Sequence, residues 1–156
     1  MTDDGAGEAA PGPPASVSFP GQAIAAAVDP VGVLDSGALQ LPEDPARVGW
    51  WAAGTPAGAP AGTTVLAGHM DGRHQSGAMR ALLHVAQGAA VDVTDALGRV
   101  HAYRVVSRQT TPWNHLDRSL FTTTGPPRLA LITCGGTFDP VKREFSDRLI
   151  VVAKPL

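Results

Sequence analysis

Apolar residues in this chain come in short runs, and each run stops at a turn signal or at a single polar residue. Leu129-Ala130-Leu131-Ile132, bounded by Pro126-Pro127 upstream and Gly135-Gly136 downstream, reads as a buried strand that ends at Cys134. Thr63-Thr64-Val65-Leu66-Ala67 is a second β-rich run and delivers His69 after Gly68. Arg148 opens a third, Leu149-Ile150-Val151-Val152-Ala153, whose continuous apolar character implies burial on both faces. Between them the period changes to two. Ala90 to Asp95 and Val100 to Val106 alternate around the turn Leu97-Gly98-Arg99, a hairpin pattern.

Upstream, Ile24 to Val28, Asp29-Pro30 and Val31 to Leu34 predict a strand bent at a proline. Ala38 to Leu41 and Arg47 to Trp51 predict two more. Ser76 to Ala86 carries Met79, Leu82, Leu83 and Val85 at spacings near three and four, which predicts one amphipathic helix capped by Ser76 and ended near Gly88. Residues 54–62 are turn chemistry. Residues 110–125 predict a loop with at most one helical turn, and Thr137 to Asp147 a charged loop. About seven or eight short strands make an all-β fold, a closed or nearly closed eight-stranded β-barrel with one or two short helices, the economical architecture, because closure removes edge strands.

Length and charge narrow the function classes. The 156 residues suit one domain with a tail. Residues 1–20, rich in Ala, Gly and Pro with acidic residues, predict a flexible N-terminal extension, and 21–156 the barrel domain. With 14 acidic against 12 basic residues and no basic run, nucleic acid is an unexpected partner. A single cysteine excludes an intramolecular disulfide framework and a multi-cysteine zinc site. No apolar run reaches the roughly 18 residues of a membrane span, and the first residues lack the pattern of a signal peptide, so the chain as given is expected to be soluble. A form trimmed of an export or anchor segment stays open.

Three residues share one property: His69, Cys134 and Arg148 each abut a buried strand, and strand ends meet at a barrel's rim. A thiol becomes a nucleophile when a nearby base or positive charge favours its thiolate, which a histidine supplies. Attack on an amide carbonyl puts negative charge on oxygen, which a guanidinium stabilises through its fixed fork of donors. The three together form an acyl-transfer set. Each also has a structural reading: Cys134 as an inert buried thiol, His69 as a hydrogen-bonded structural residue, Arg148 as half of an ion pair with Asp147 or Glu144. His69 to His74 matches no tight zinc spacing, so no metal and no cofactor is expected. His84, His101 and His115 adjoin no glycine-opened site and are read as structural.

Leu131-Ile132-Thr133-Cys134, followed about fourteen residues on by Arg148 before Leu149-Ile150-Val151-Val152, resembles the signature of the sortases, cysteine transpeptidases of Gram-positive surfaces. Val65 to Asp71 is similar to their histidine segment. The likeness runs from about Ala23 to Ala153. Gly49-Trp50, Leu66-Ala67-Gly68-His69 with Asp71, and Thr133-Cys134-Gly135-Gly136 with Phe138-Asp139 bring it nearest the actinobacterial class F type. The resemblance implies an eight-stranded barrel with Cys134 as nucleophile, His69 as general acid/base and Arg148 as oxyanion stabiliser, Arg143 being the alternative arginine. Asp71, Thr133 and Gly135 are candidate supporting residues: Asp71 to orient His69, Thr133 to shape a groove, Gly135 to let a substrate backbone approach the sulfur. It further implies a sorting-signal peptide of the Leu-Pro-any-Thr-Gly type, an amine acceptor of peptidoglycan-precursor type, and an ectodomain on the extracellular face held by an anchor absent from this chain. A hydrolase using the same triad, and a non-catalytic β-barrel surface-binding module, are the competing readings.

Overall fold

The computed structural model describes residues 11–34, 39–71, 76–115, 117–142 and 144–156, with the backbone alone at 135–138 and 144. Eight strands form a closed barrel: β1 (Pro14–Phe19), β2 (Ile24–Val31), β3 (Val48–Trp51), β4 (Thr63–Gly68), β5 (Ala90–Asp95), β6 (Val100–Pro112), β7 (Arg128–Asp139) and β8 (Glu144–Pro155). Around the barrel they run β1-β2-β3-β4-β7-β8-β6-β5. Neighbours are antiparallel except for β2 with β3 and β4 with β7.

The barrel predicted from the apolar runs is present, with three differences in its parts. First, the domain begins before residue 21. β1 pairs with β2 and β5, and Val17 and Phe19 are sealed in the core. Ser16, Val17, Ser18 and Phe19 alternate with period two, a pattern short enough to be masked by the prolines before it, and Pro14 stands at the strand start, where a missing N–H costs little. Pro14–Phe19 of the extension expected over 1–20 are therefore barrel, and 1–10 lie outside the described residues.

Second, the helix expected over Ser76 to Ala86 is only a 3-10 helix, Ala78–Leu83, which buries Ala78, Met79, Ala81 and Leu82. Its N-cap is Gly77 and no side chain caps it, so Ser76 does not serve as the expected cap. Apolar residues three apart fit both helix types, and the six residues make two turns of the tighter one. Three more 3-10 helices, Pro20–Gln22, Trp113–His115 and Arg118–Leu120, fill turns. Third, the charged loop expected over 137–147 is mostly hairpin: β7 and β8 stay paired to Asp139 opposite Glu144, with a register shift between Gly135 and Phe138. β6 also runs past Val106 to Pro112, after a bulge between Val105 and Ser107. Of the strand expected over Ala38 to Leu41, only a bridge from Leu39 to Val33 is described.

Side chains alternate between the two faces of each strand. Leu66 of β4, Leu129 and Leu131 of β7, and Val151 and Ala153 of β8 point into the main core. Their neighbours Val65, Ala67, Ala130, Ile132 and Ile150 point outward, yet are also buried, because Leu120, Leu39, Leu41, Phe121 and Trp51 at the end of β3 cover them. Burying a Leu or Ile side chain contributes about 1.5–3 kcal/mol. Both faces of this sector are therefore packed. No helix among the described residues is long and apolar enough to cross a membrane.

Candidate active site

The outward alternation continues beyond the buried part of the sheet. Two residues after Ile132 comes Cys134, two before Ile150 comes Arg148, and two after Ala67 comes His69. Cys134 and Arg148 are direct partners across the β7–β8 ladder. β4 runs parallel to β7 with Ala67 opposite Ile132, and the Thr133 hydroxyl reaches the Gly68 carbonyl, so His69 leaves the end of β4 on the strand next to the one that carries Cys134. Three adjacent strands thus bring the three sequence-predicted residues to one stretch of the rim. All three side chains are half-buried, held by the protein and still reached by solvent.

Thr133 fixes the spacing. Its buried hydroxyl donates to the Gly68 carbonyl at 2.8 Å, tying the residue before Cys134 to the residue before His69. Alternation turns Thr133 toward the interior, so its role differs from the groove-lining one read from sequence. Gly135 continues β7 opposite Asp147.

His69 is held from two sides. Its ring donates through Nε2 to the Pro42 carbonyl at 2.9 Å, and its own carbonyl accepts the Met79 N–H at 3.1 Å. The Met70 carbonyl accepts from Gly77 at 2.8 Å, closing the loop after β4. Gly77 has to be glycine by contact: a Cβ there would run into the His69 carbonyl. Arg148 donates to the carbonyls of Asp147 at 3.0 Å and Phe145 at 3.4 Å. Among the described side chains no carboxylate pairs with it, unlike the ion pair with Asp147 allowed by the sequence. Its charge is therefore not neutralised by a described acid. Arg143 lies outside the described residues.

Asp71 does something other than orient His69. Both of its oxygens accept from Arg80 Nη1 at 2.7 Å, an exposed pair between the His69 loop and the 3-10 helix. Among the described residues no cluster of three His, Cys, Asp or Glu side chains is placed to hold a metal. A cleft of about 500 Å³ lined by Met70, Leu83, Arg108, Gln109, Phe145 and Leu149 opens beside the chain neighbours of His69 and Arg148.

His101 sits at the other end of the barrel, where its Nε2 meets the buried Asp95 carboxylate at 2.9 Å. That bond, together with backbone N–H groups of Arg99 and Leu97, holds the Asp95 carboxyl at a pKa of about 2. Three features of the site were not read from the sequence: the Pro42 carbonyl, the glycine contact at 77, and the Arg80 partner of Asp71. Every residue has a carbonyl, so no residue type marks the first; Gly77, just before an apolar cluster, was the only visible trace of the second.

Comparison with known proteins bears on the fold and the family. The model of the Sortase domain matches residues 23–156. Among solved structures, the chain is similar to sortase A of Listeria monocytogenes, at 21% identity and a TM-score of 0.67, covering 96% of this chain and 88% of that one. It is similar to the pilus island 1 sortase C2 of Group B Streptococcus, at 20% identity and a TM-score of 0.68, covering 90% and 72%. A lid mutant of sortase A from Corynebacterium diphtheriae gives 20% identity and a TM-score of 0.68, covering 96% and 73%. No curated protein sequence matches the chain.

Proposed function

This chain belongs to the sortase family of cysteine transpeptidases, and from that premise we propose that it cleaves a sorting signal of the Leu-Pro-any-Thr-Gly type between Thr and Gly and joins the threonine to an amine. The single observation that carries the assignment of roles is the pairing of Cys134 with Arg148 across one ladder, next to the strand that ends at His69. Sortases act at the cell surface, on surface proteins that carry sorting signals and on amine acceptors. For this chain the acceptor is a peptidoglycan precursor, and the domain is the extracellular part of an anchored protein. Gly49-Trp50, the Leu66 to Asp71 segment and Thr133 to Gly136 support assignment to the class F type.

The chemistry follows from what each group can do. The Cys134 thiolate attacks the threonine carbonyl carbon, and the C=O pair moves onto oxygen, where the Arg148 guanidinium meets the negative charge. Protonated His69 gives its proton to the glycine nitrogen as the C–N bond breaks, leaving a thioester on Cys134 and a neutral imidazole. The acceptor amine attacks that thioester, His69 takes back a proton, and the amide forms as the C–S bond breaks. Thr133 keeps sulfur and imidazole in step through its bond to Gly68.

Incubating the chain with a fluorescent Leu-Pro-Ala-Thr-Gly peptide, with and without triglycine, tests this by mass spectrometry. A transpeptidase gives the triglycine adduct in preference to the acid. Acid alone in both reactions identifies a hydrolase, and an unmodified, alkylation-resistant Cys134 identifies a non-catalytic module.

A further inference from the structure

The bond to the His69 ring comes from a part of the chain distant in sequence. Pro42 lies between β2 and β3, and its carbonyl can only accept, so the ring nitrogen that meets it at 2.9 Å must carry a hydrogen. In a neutral imidazole that leaves the lone pair on Nδ1. One contact therefore selects the tautomer and the tilt of the ring.

The segment that carries Pro42 is fastened at several points. At the start of β3, Arg47 meets Asp29 of β2 with two prongs, Nε to Oδ2 at 2.7 Å and Nη2 to Oδ1 at 2.6 Å. This contact holds the Asp29 carboxyl below its usual range, through the hydrogen bond first and the opposite charge as well. Asp44 turns the chain by accepting the Ala46 N–H on its side chain and the Arg47 N–H on its carbonyl. The Pro45 carbonyl takes the Ala78 N–H at 2.8 Å, next to Met79, whose own N–H holds the His69 carbonyl. The bare face of Gly49 leaves room for Pro42: a Cβ there would stand 3.2 Å from the proline Cδ and 3.0 Å from Val31.

We propose that residues 39–47 are a positioning device for His69, with the Pro42 carbonyl as its contact and the Asp29–Arg47 pair as its fastening, so that Nε2 stays protonated and Nδ1 is the nitrogen that exchanges a proton during acyl transfer. The device rests on the acyl-transfer reading of His69. Asp29 and Arg47 touch no reacting atom and act only through the loop.

Nitrogen-15 imidazole spectra of the full chain carrying Cys134→Ala, recorded where the ring is neutral, read the tautomer directly. The expected result is Nε2–H in large excess; an Nδ1–H ring or an even mixture overturns the proposal while leaving the function of Cys134 untouched. Asp29→Asn, Arg47→Gln and Gly49→Ala should each shift the ring toward a mixture and lower kcat by about tenfold or more, with KM within about twofold. Arg47→Lys, which keeps the charge and one bond, should recover most of kcat. Unchanged spectra and unchanged kcat in all three loosened variants overturn the proposal. Full turnover in His69→Ala instead removes the acyl-transfer reading, and the tautomer measurement tells the two failures apart.

Discussion

His69 and His101 both present Nε2 to an oxygen that can only accept, and both stand near a strand end, yet the two ends of the barrel use them differently. His101 meets a carboxylate that is itself fully buried and already bonded to two backbone N–H groups. That ring closes a hydrogen-bonded cluster around a buried carboxylate. His69 meets a neutral carbonyl, is half-buried, and follows the strand next to the one that carries Cys134. A neutral partner orients the ring without fixing its charge, which leaves it able to gain and lose a proton. On the proposed reading, the difference between a structural and a chemical histidine lies in the partner's charge.

Removing the chemical end should produce the largest effects. Cys134→Ala should abolish transpeptidation and leave the thermal unfolding temperature close to that of the parent, since the sulfur is not a core group; His69→Ala and Arg148→Ala should each lose about a hundredfold or more in kcat/KM. Retained turnover in Cys134→Ala would remove the nucleophile assignment. Next comes Gly77→Ala, which should push the His69 carbonyl and cost about 1–3 kcal/mol of stability by overpacking, with turnover falling further than the stability loss explains.

The structural end should behave the opposite way. His101→Ala should lower the unfolding temperature by several degrees with kcat unchanged, because Asp95 then keeps only its other partners. The Asp95 carboxyl lies at about 2, below its ordinary 3.8, so it adds stability above the ordinary value and loses it as the pH falls through about 2. Asp95→Asn should therefore be less stable than the parent at neutral pH, with the gap closing in acid denaturation between about pH 4 and pH 2. The smallest effect belongs to Asp71→Asn. An exposed pair contributes at most about 1 kcal/mol, and turnover should stay within about twofold. A large loss of kcat there would mean that Asp71 serves His69 after all.

Legibility from sequence followed burial on both faces. β4, the middle of β7 and the end of β8 were visible because each is apolar without interruption, covered inside by the core and outside by Leu120 and the loop residues packed there. β1 was not visible, because its serines face outward and its prolines resemble a linker. The hairpin beyond Cys134 was not visible either: glycines and charges there are what an exposed two-stranded ribbon needs, and also what a loop needs. His69, Cys134 and Arg148 were singled out because a reactive side chain at the end of a buried run is chemically conspicuous. The Pro42 carbonyl and the bond from Thr133 to Gly68 were hidden, since both depend on backbone atoms that every residue carries.

The parallel course of β4 and β7 has a kinetic consequence. The two residues tied by the Thr133 hydroxyl are 65 positions apart in the chain, and that ring of polypeptide must close before the bond can form. Long-range pairings of this kind are slow relative to hairpins. During synthesis Cys134 gains its ladder partner Arg148 only once β8 has emerged, so on the proposed reading full reactivity waits for the last strand.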